Sequence, residues 1–169
     1  MKARRAVCAG SFDPVTRGHL DLFCRAAGLF DALTVCVFHN VRKEGLFSAA
    51  ERKTLIEDAV QAMGGIPNLR VDTFSGLLAD YLRAHEMRYI VRGVRSADDL
   101  AYEQTQAELN RHLYAEAETV FLLTNPRYAC VSSSAVREIA SFHGALSDFV
   151  PPNVEQALRE KFRGQPVDL

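Results

Sequence analysis

Five short apolar runs rich in β-branched residues alternate with longer segments whose apolar residues recur at helical spacing, and no other feature constrains the chain as much. Such alternation is the mark of β-α-β units, in which parallel strands are buried on both faces beneath their crossover helices. The pattern predicts strands over residues 4–10, 32–39, 69–74, 88–93 and 118–123. It predicts helices over 18–30, 48–63, 77–86, 97–114, 133–141 and 153–162. The expected fold is α/β, a doubly wound five-stranded parallel sheet. Ser48 followed by Glu51 is a capping-box pattern, and Gly64-Gly65 with Pro67 beyond them stops the helix between. With 169 residues, 48% of them hydrophobic, the chain can bury one sizeable core. It carries no repeat, linker or low-complexity tract, so residues 1–169 are expected to form a single domain.

A net charge of −1 leaves no broad basic face for nucleic acid, so an anionic ligand must be small and held by locally gathered Arg and Lys. Cys8, Cys24, Cys36 and Cys130 form no C-x-x-C pair and fall mostly in apolar runs. That predicts buried thiols in a reducing compartment rather than disulfides or zinc ligands. The apolar run 6–9 is too short for a secretory signal, and no stretch is long enough to span a bilayer. The expectation is a soluble cytoplasmic protein without a membrane partner.

In doubly wound sheets ligands bind beyond the carboxyl ends of the strands, where strand order reverses. The first strand ends in Gly10-Ser11-Phe12-Asp13-Pro14-Val15-Thr16-Arg17-Gly18-His19. Gly10 permits a tight turn, Ser11 offers a hydroxyl, and Gly18-His19 opens a helix whose free N–H groups favour a phosphate. Gly, Asp-Pro and Thr also serve ordinary strand-to-helix turns, so this stretch alone does not decide the matter. Neither G-x-G-x-x-G nor G-x-x-x-x-G-K-[ST] is present, which disfavours a dinucleotide redox cofactor. His19 is instead placed to donate to a phosphate oxygen as charge develops there.

Three further strand ends carry the same chemistry. Lys43 lies in a basic loop after the second strand, and Arg92-Gly93-Val94-Arg95 follows the fourth. The two arginines suit phosphate oxygens, although pairing with Asp98, Asp99 or Glu103 is an equally ordinary use. After the fifth strand Ser132-Ser133-Ser134 precedes Arg137 at a helix start. One serine is explained as an N-cap; three hydroxyls with free backbone N–H groups make a second anion cradle. Four accidents at one sheet edge are less plausible than one phosphate-binding site.

The stretch Ser11-Phe12-Asp13-Pro14-Val15-Thr16-x-Gly18-His19, with Ser132-Ser133-Ser134-x-x-Arg137, resembles the two nucleotide-gripping motifs of the nucleotidylyltransferase superfamily. Arg92-Gly93-x-Arg95, Asp99, Tyr102-Glu103, Asn110-Arg111-His112-Leu113 and Val150-Pro151-Pro152-Asn153-Val154 are similar to its bacterial phosphopantetheine adenylyltransferase branch. The resemblance runs from about Arg5 to about Phe162 and implies a Rossmann-like sheet. It implies that His19 and Lys43 are catalytic, with Ser11 and Lys43 meeting the acceptor phosphate. Ser11, Phe12, His19, Gly93, Arg95, Glu103, Ser132, Ser133, Ser134 and Arg137 would hold ATP. Arg92 would bind on the acceptor side, and Ser75, Leu77, Leu78 and Asn110 would line the pantetheine arm. The chain departs from the family's usual pattern at Ala9, at Glu44-Gly45 and at Gln106. The Glu44-Gly45 change bears on how Lys43 is presented, because Gly45 is freer than a proline. Gln106 falls near the expected acceptor arm.

The implied reaction is attack of the phosphate of 4'-phosphopantetheine on the α-phosphorus of ATP, giving dephospho-coenzyme A and pyrophosphate in coenzyme A biosynthesis. Magnesium would be carried with ATP, since no carboxylate cluster reads as a protein metal site. The resemblance also implies a homo-hexamer. Two other readings stay open from the residues alone: the same chemistry on another acceptor, such as nicotinamide mononucleotide or, with CTP, glycerol 3-phosphate, and a non-catalytic nucleotide-sensing module.

Overall fold

In the computed structural model, which describes residues 3–38 and 45–164, the five expected strands form one parallel sheet. β1 (Arg5–Gly10), β2 (Ala32–Phe38), β3 (Leu69–Phe74), β4 (Tyr89–Val94) and β5 (Glu118–Leu123) lie in the order β3-β2-β1-β4-β5. The chain builds outward from β1 through β2 to β3, then returns to lay β4 and β5 on the other side. β1 therefore pairs with both β2 and β4, Arg5 opposite Ala32 and Ala6 opposite Tyr89. The reversal of strand order falls between β1 and β4, where their carboxyl ends open a crevice.

Among the described residues, α1 (Arg17–Ala27), α2 (Ala49–Ala62), α3 (Leu78–Ala84) and α4 (Ala97–Leu113) connect successive strands, and α5 (Ser133–Ser141) and α6 (Pro152–Lys161) follow β5. A 3-10 turn at Pro126–Tyr128 leads from β5 toward α5. Successive strand residues face opposite sides of the sheet. Ala6 and Cys8 of β1, with Leu33, Val35 and Val37 of β2, pack beneath Leu20 and Phe23 of α1, Ile56 of α2 and Leu158 of α6. Val7, Ala9, Cys36 and Ile90 turn to the other side and meet Tyr81 and Leu82 of α3. Each large side chain so buried stabilises the fold by about 1.5–3 kcal/mol.

The capping box at Ser48 is formed, with Ser48 Oγ accepting from the Glu51 N–H at 3.2 Å and Glu51 Oε2 accepting from the Ser48 N–H at 2.6 Å. At the far end of α2, Gly64 and Gly65 take φ values of 96° and 76°, which few other residues tolerate, and the helix stops. α1 starts one residue earlier than expected, on Thr16 as its N-cap, and ends at Ala27 on Gly28.

Two expectations need correction. Cover on both faces holds for the central strands but thins at β5: α4 buries only Glu103, while Tyr102, Leu109 and Leu113 stay exposed. Those three recur at i, i+7 and i+11 and so share one stripe of the helix, turned away from the sheet. Of the cysteines, Cys8 and Cys36 are buried, but Cys24 and Cys130 are exposed, because they fall on an outer position of α1 and just before α5; all four are free thiols. Among the described residues no helix is long and apolar enough to cross a membrane.

Candidate active site

The loop from β1 to α1 is set by two close approaches. Phe12 has φ 46°, a left-handed conformation that strains a bulky residue, and its ring folds back over Gly10. A β-carbon at Gly10 would lie 2.9 Å from Phe12 Cζ, so only glycine lets the ring sit there. The buried ring then meets His19 edge-on, centroids 5.1 Å apart, with Phe23 beyond it at 5.4 Å. His19 is also the third residue of α1. Thr16 Oγ1 accepts from the His19 N–H at 3.4 Å, and His19 Nδ1 accepts from the Thr16 N–H at 3.0 Å. Burial foremost, with the nearby Arg95 and Arg92 charges, holds the imidazole down at about pKa 4. His19 is thus neutral near pH 7, and with Nδ1 occupied as an acceptor the ring proton belongs on Nε2.

Arg92, on β4, points inward. Its Nε and Nη2 donate to the two oxygens of Glu103 at 2.7 and 2.5 Å, and its Nη1 donates to the Ala9 carbonyl. Of the two uses open to this arginine in the sequence, the structure shows the ion pair. Arg95 differs: its side chain is 41% exposed and its Nε stands 3.8 Å from Asp99 Oδ2, too far for a hydrogen bond. Its backbone N–H, by contrast, donates to Asp99 at 3.0 Å.

The serine run divides its labour. Ser132 Oγ caps α5 by accepting from the Ala135 N–H at 3.1 Å, and Ser133 Oγ donates to the Pro14 carbonyl at 2.8 Å. Ser134 Oγ lies 3.4 Å from Arg137 Nη2, and Arg137 Nη1 donates to the Asp13 carbonyl at 2.5 Å. Ser133 and Arg137 therefore tie α5 to the first loop, while Ser132 caps the helix N-terminus.

These groups surround one cleft of about 310 Å³ at the switch point. Ser11, Phe12, His19, Arg92, Gly93, Arg95, Glu103 and Ser132, Ser133 and Ser134 all line it. Arg137 is outside the lining, behind the serines. Ser75, Leu77, Leu78 and Asn110 are outside it too, at the start of α3 and on α4; Ser75 and Leu77 are exposed and Asn110 donates to the Gln106 carbonyl. Lys43 lies outside the described residues. The lining also includes residues that sequence reasoning did not single out, among them Asp21, Leu22, Arg25, Thr124 and Tyr128. They carry no local signal, because they reach the cleft only through the packing of α1 and of the segment after β5. Burial pushes the Cys8 thiol up to about 12, so it is no nucleophile. Among the described residues no group of three or more His, Cys, Asp or Glu side chains is placed to hold a metal ion.

The cytidylyltransferase-like family model matches residues 7–139. The phosphopantetheine adenylyltransferase of Syntrophotalea carbinolica is 46% identical over 98% of this chain and 98% of its own length. The chain belongs to the phosphopantetheine adenylyltransferase family. Membership makes it a nucleotidyltransferase. The Shouchella clausii member of the phosphopantetheine adenylyltransferase family is likewise 46% identical, over 95% of this chain and 99% of its own. Among solved structures, a bifunctional NMN adenylyltransferase/ADP ribose pyrophosphatase from Francisella tularensis superposes with a TM-score of 0.74. It covers 96% of this chain and 51% of that one at 14% identity, a likeness of fold alone.

Proposed function

We propose that the chain transfers the adenylyl group of ATP to 4'-phosphopantetheine. A phosphate oxygen of the acceptor attacks the α-phosphorus, a new P–O bond forms, the bond to the β-phosphate breaks, and pyrophosphate leaves. The observation that carries this reading is a neutral His19, its proton on Nε2, in a cleft between two helix N-termini. A phosphate monoester is already a competent anion near neutral pH, so the protein needs no covalent nucleophile and acts by positioning and charge stabilisation. His19 donates to the oxygens of the α-phosphate as charge builds there. Arg95 and the α5 N-terminus at Ser132, Ser133 and Ser134 receive the outer phosphates, with Arg137 behind them. Ser11 and Lys43 meet the acceptor phosphate, Gly93 and Glu103 help seat the nucleoside with the Phe12 loop, and Arg92, oriented by its pairing with Glu103, binds on the acceptor side. Ser75, Leu77, Leu78 and Asn110 receive the pantetheine arm. Magnesium carried with ATP would supply charge neutralisation at the triphosphate, beside Arg95 and the hydroxyls of Ser132, Ser133 and Ser134.

Pyrophosphate release from ATP with a panel of acceptors tests the reading. Release with 4'-phosphopantetheine is expected; faster turnover with nicotinamide mononucleotide would shift the acceptor while leaving adenylyl transfer in place. We further propose a cytoplasmic homo-hexamer. The exposed apolar residues Leu113 of α4 and Leu123 of β5 support assembly by offering surface to bury. Light scattering decides it, and a mass near the 18.8 kDa of one chain would refute it.

A further inference from the structure

A second set of charges lies beneath the cleft and outside its lining. Asp13 and Arg52 are only 5% and 6% exposed. Asp13 Oδ2 accepts from the Leu46 N–H at 2.8 Å and Oδ1 from the Phe47 N–H at 3.0 Å. Arg52, on α2, brings Nε within 3.4 Å of Asp13 Oδ1 and donates from the same nitrogen to the Phe47 carbonyl at 2.6 Å. Its Nη1 donates to the Ser11 carbonyl at 3.3 Å. Arg137 of α5 supplies a second guanidinium, Nη1 standing 3.6 Å from Asp13 Oδ2. One carboxylate thus joins the β1–α1 loop, the segment entering α2 and the first turns of α5.

Apolar side chains would hold three segments together at least as well, because desolvation offsets much of the attraction in a buried ion pair. What the ion pair adds is register: its hydrogen bonds are all satisfied in only one arrangement. Gly45 points the same way. A β-carbon there would lie 1.8 Å from Arg52 Nη2 and 2.7 Å from Asp13 Oδ2, so the guanidinium occupies space that only a glycine leaves.

We propose that Asp13, acting with Arg52, is a positioning residue for adenylyl transfer. It fixes Ser11, on the acceptor side, against Ser133, Ser134 and Arg137, on the triphosphate side, and so sets the approach of the acceptor oxygen to the α-phosphorus. The proposal rests on the adenylyl-transfer reading of the cleft.

The test compares the parent with Asp13→Asn, Arg52→Lys and Gly45→Ala. Pyrophosphate release gives kcat and KM, calorimetric titration gives the ATP dissociation constant, and thermal melting checks the fold. A misplacement of about 1 Å at a reacting centre costs on the order of a hundredfold, so kcat is expected to fall by about that factor while ATP affinity stays near the parent's. Should Asp13→Asn fail to fold, Arg52→Lys carries the test: it keeps a charge opposite Asp13 but lacks the second arm that reaches Ser11. Variants that melt lower yet keep the parent kcat would overturn the proposal alone, showing a purely structural brace. A parent inactive with every acceptor would overturn the functional reading and this proposal with it.

Discussion

The backbone N–H of Thr16 stands 3.0 Å from Nδ1 of His19, and that bond fixes which ring nitrogen carries the proton. The third residue of a helix is thereby turned into a neutral donor lining the cleft. A donor whose contact strengthens only in the transition state is worth about 2.7–4 kcal/mol. His19→Ala is therefore expected to lower kcat by roughly a hundredfold to a thousandfold, with little change in ATP affinity. Titration calorimetry and a pyrophosphate assay measure the two, and a near-parent kcat in a normally melting variant would reduce His19 to a turn residue.

The same ring sets a pH dependence. Its folded pKa of about 4 lies below the ordinary 6.5, the causes being burial first and then Arg95 and Arg92. The unfolded chain takes up the proton earlier, so the stabilisation from a neutral His19 is present above about pH 6.5 and is lost as pH falls through 4. Protonation would also break the bond from Thr16. Any activity loss from this group should therefore appear only below about pH 5, and an NMR titration of the His19 ring should show no inflection near 6.5. An inflection there would remove the argument for a neutral donor in the cleft.

At the entrance to α2 the capping box makes a separate, measurable contribution. Glu51 is held down to about 2, first by the Ser48 N–H and then by Lys161, whose Nζ lies 2.9 Å away. The depressed carboxyl stabilises the fold above pH 4.5 and loses that contribution as pH falls through about 2. Because Glu51 is half-exposed, water and salt screen most of the ion-pair part. Ser48→Ala should cost about 1 kcal/mol at neutral pH. The stability gap between parent and Glu51→Gln, followed by denaturant titration, should stay level from pH 7 to about 5 and narrow as pH falls from 4.5 towards 2, and a gap that stays constant below 4.5 would contradict the cap.

The central strands are legible in the sequence because β1 and β2 are buried on both faces and so appear as unbroken apolar runs. Caps are legible for the same local reason, as Ser48 with Glu51 illustrates. Long-range pairing is not. Asp13 and Arg52 are far apart in the chain, and Asp13-Pro14 reads locally as a turn, so nothing marks the buried pair they form. Arg92 shows both limits at once: its place at a strand end is readable, but whether it faces a ligand or Glu103 depends on how α4 packs against β4. The three serines are countable in the sequence, whereas the turn of Ser133 toward Pro14 is a tertiary fact.

That Arg92–Glu103 pair gives the last prediction. The fork of the guanidinium matches both carboxylate oxygens, and the Glu103 side chain is 6% exposed while that of Arg92 is 30%. Glu103→Gln keeps the shape but turns one acceptor into an N–H donor facing another donor, with loss of a charge-assisted bond worth about 1.5–3 kcal/mol. For a chain of this length that corresponds to a melting temperature lower by roughly 3–12 °C. Arg92→Lys should be destabilising as well, since an ammonium cannot span both oxygens and still reach the Ala9 carbonyl. The two residues form one unit, so Arg92→Gln with Glu103→Gln should lose clearly less than the sum of the single losses, a coupling of about 0.5–3 kcal/mol in a double-mutant cycle. Additive losses would mean that each residue stabilises the fold through other partners, and the bidentate contact would then have no energetic weight.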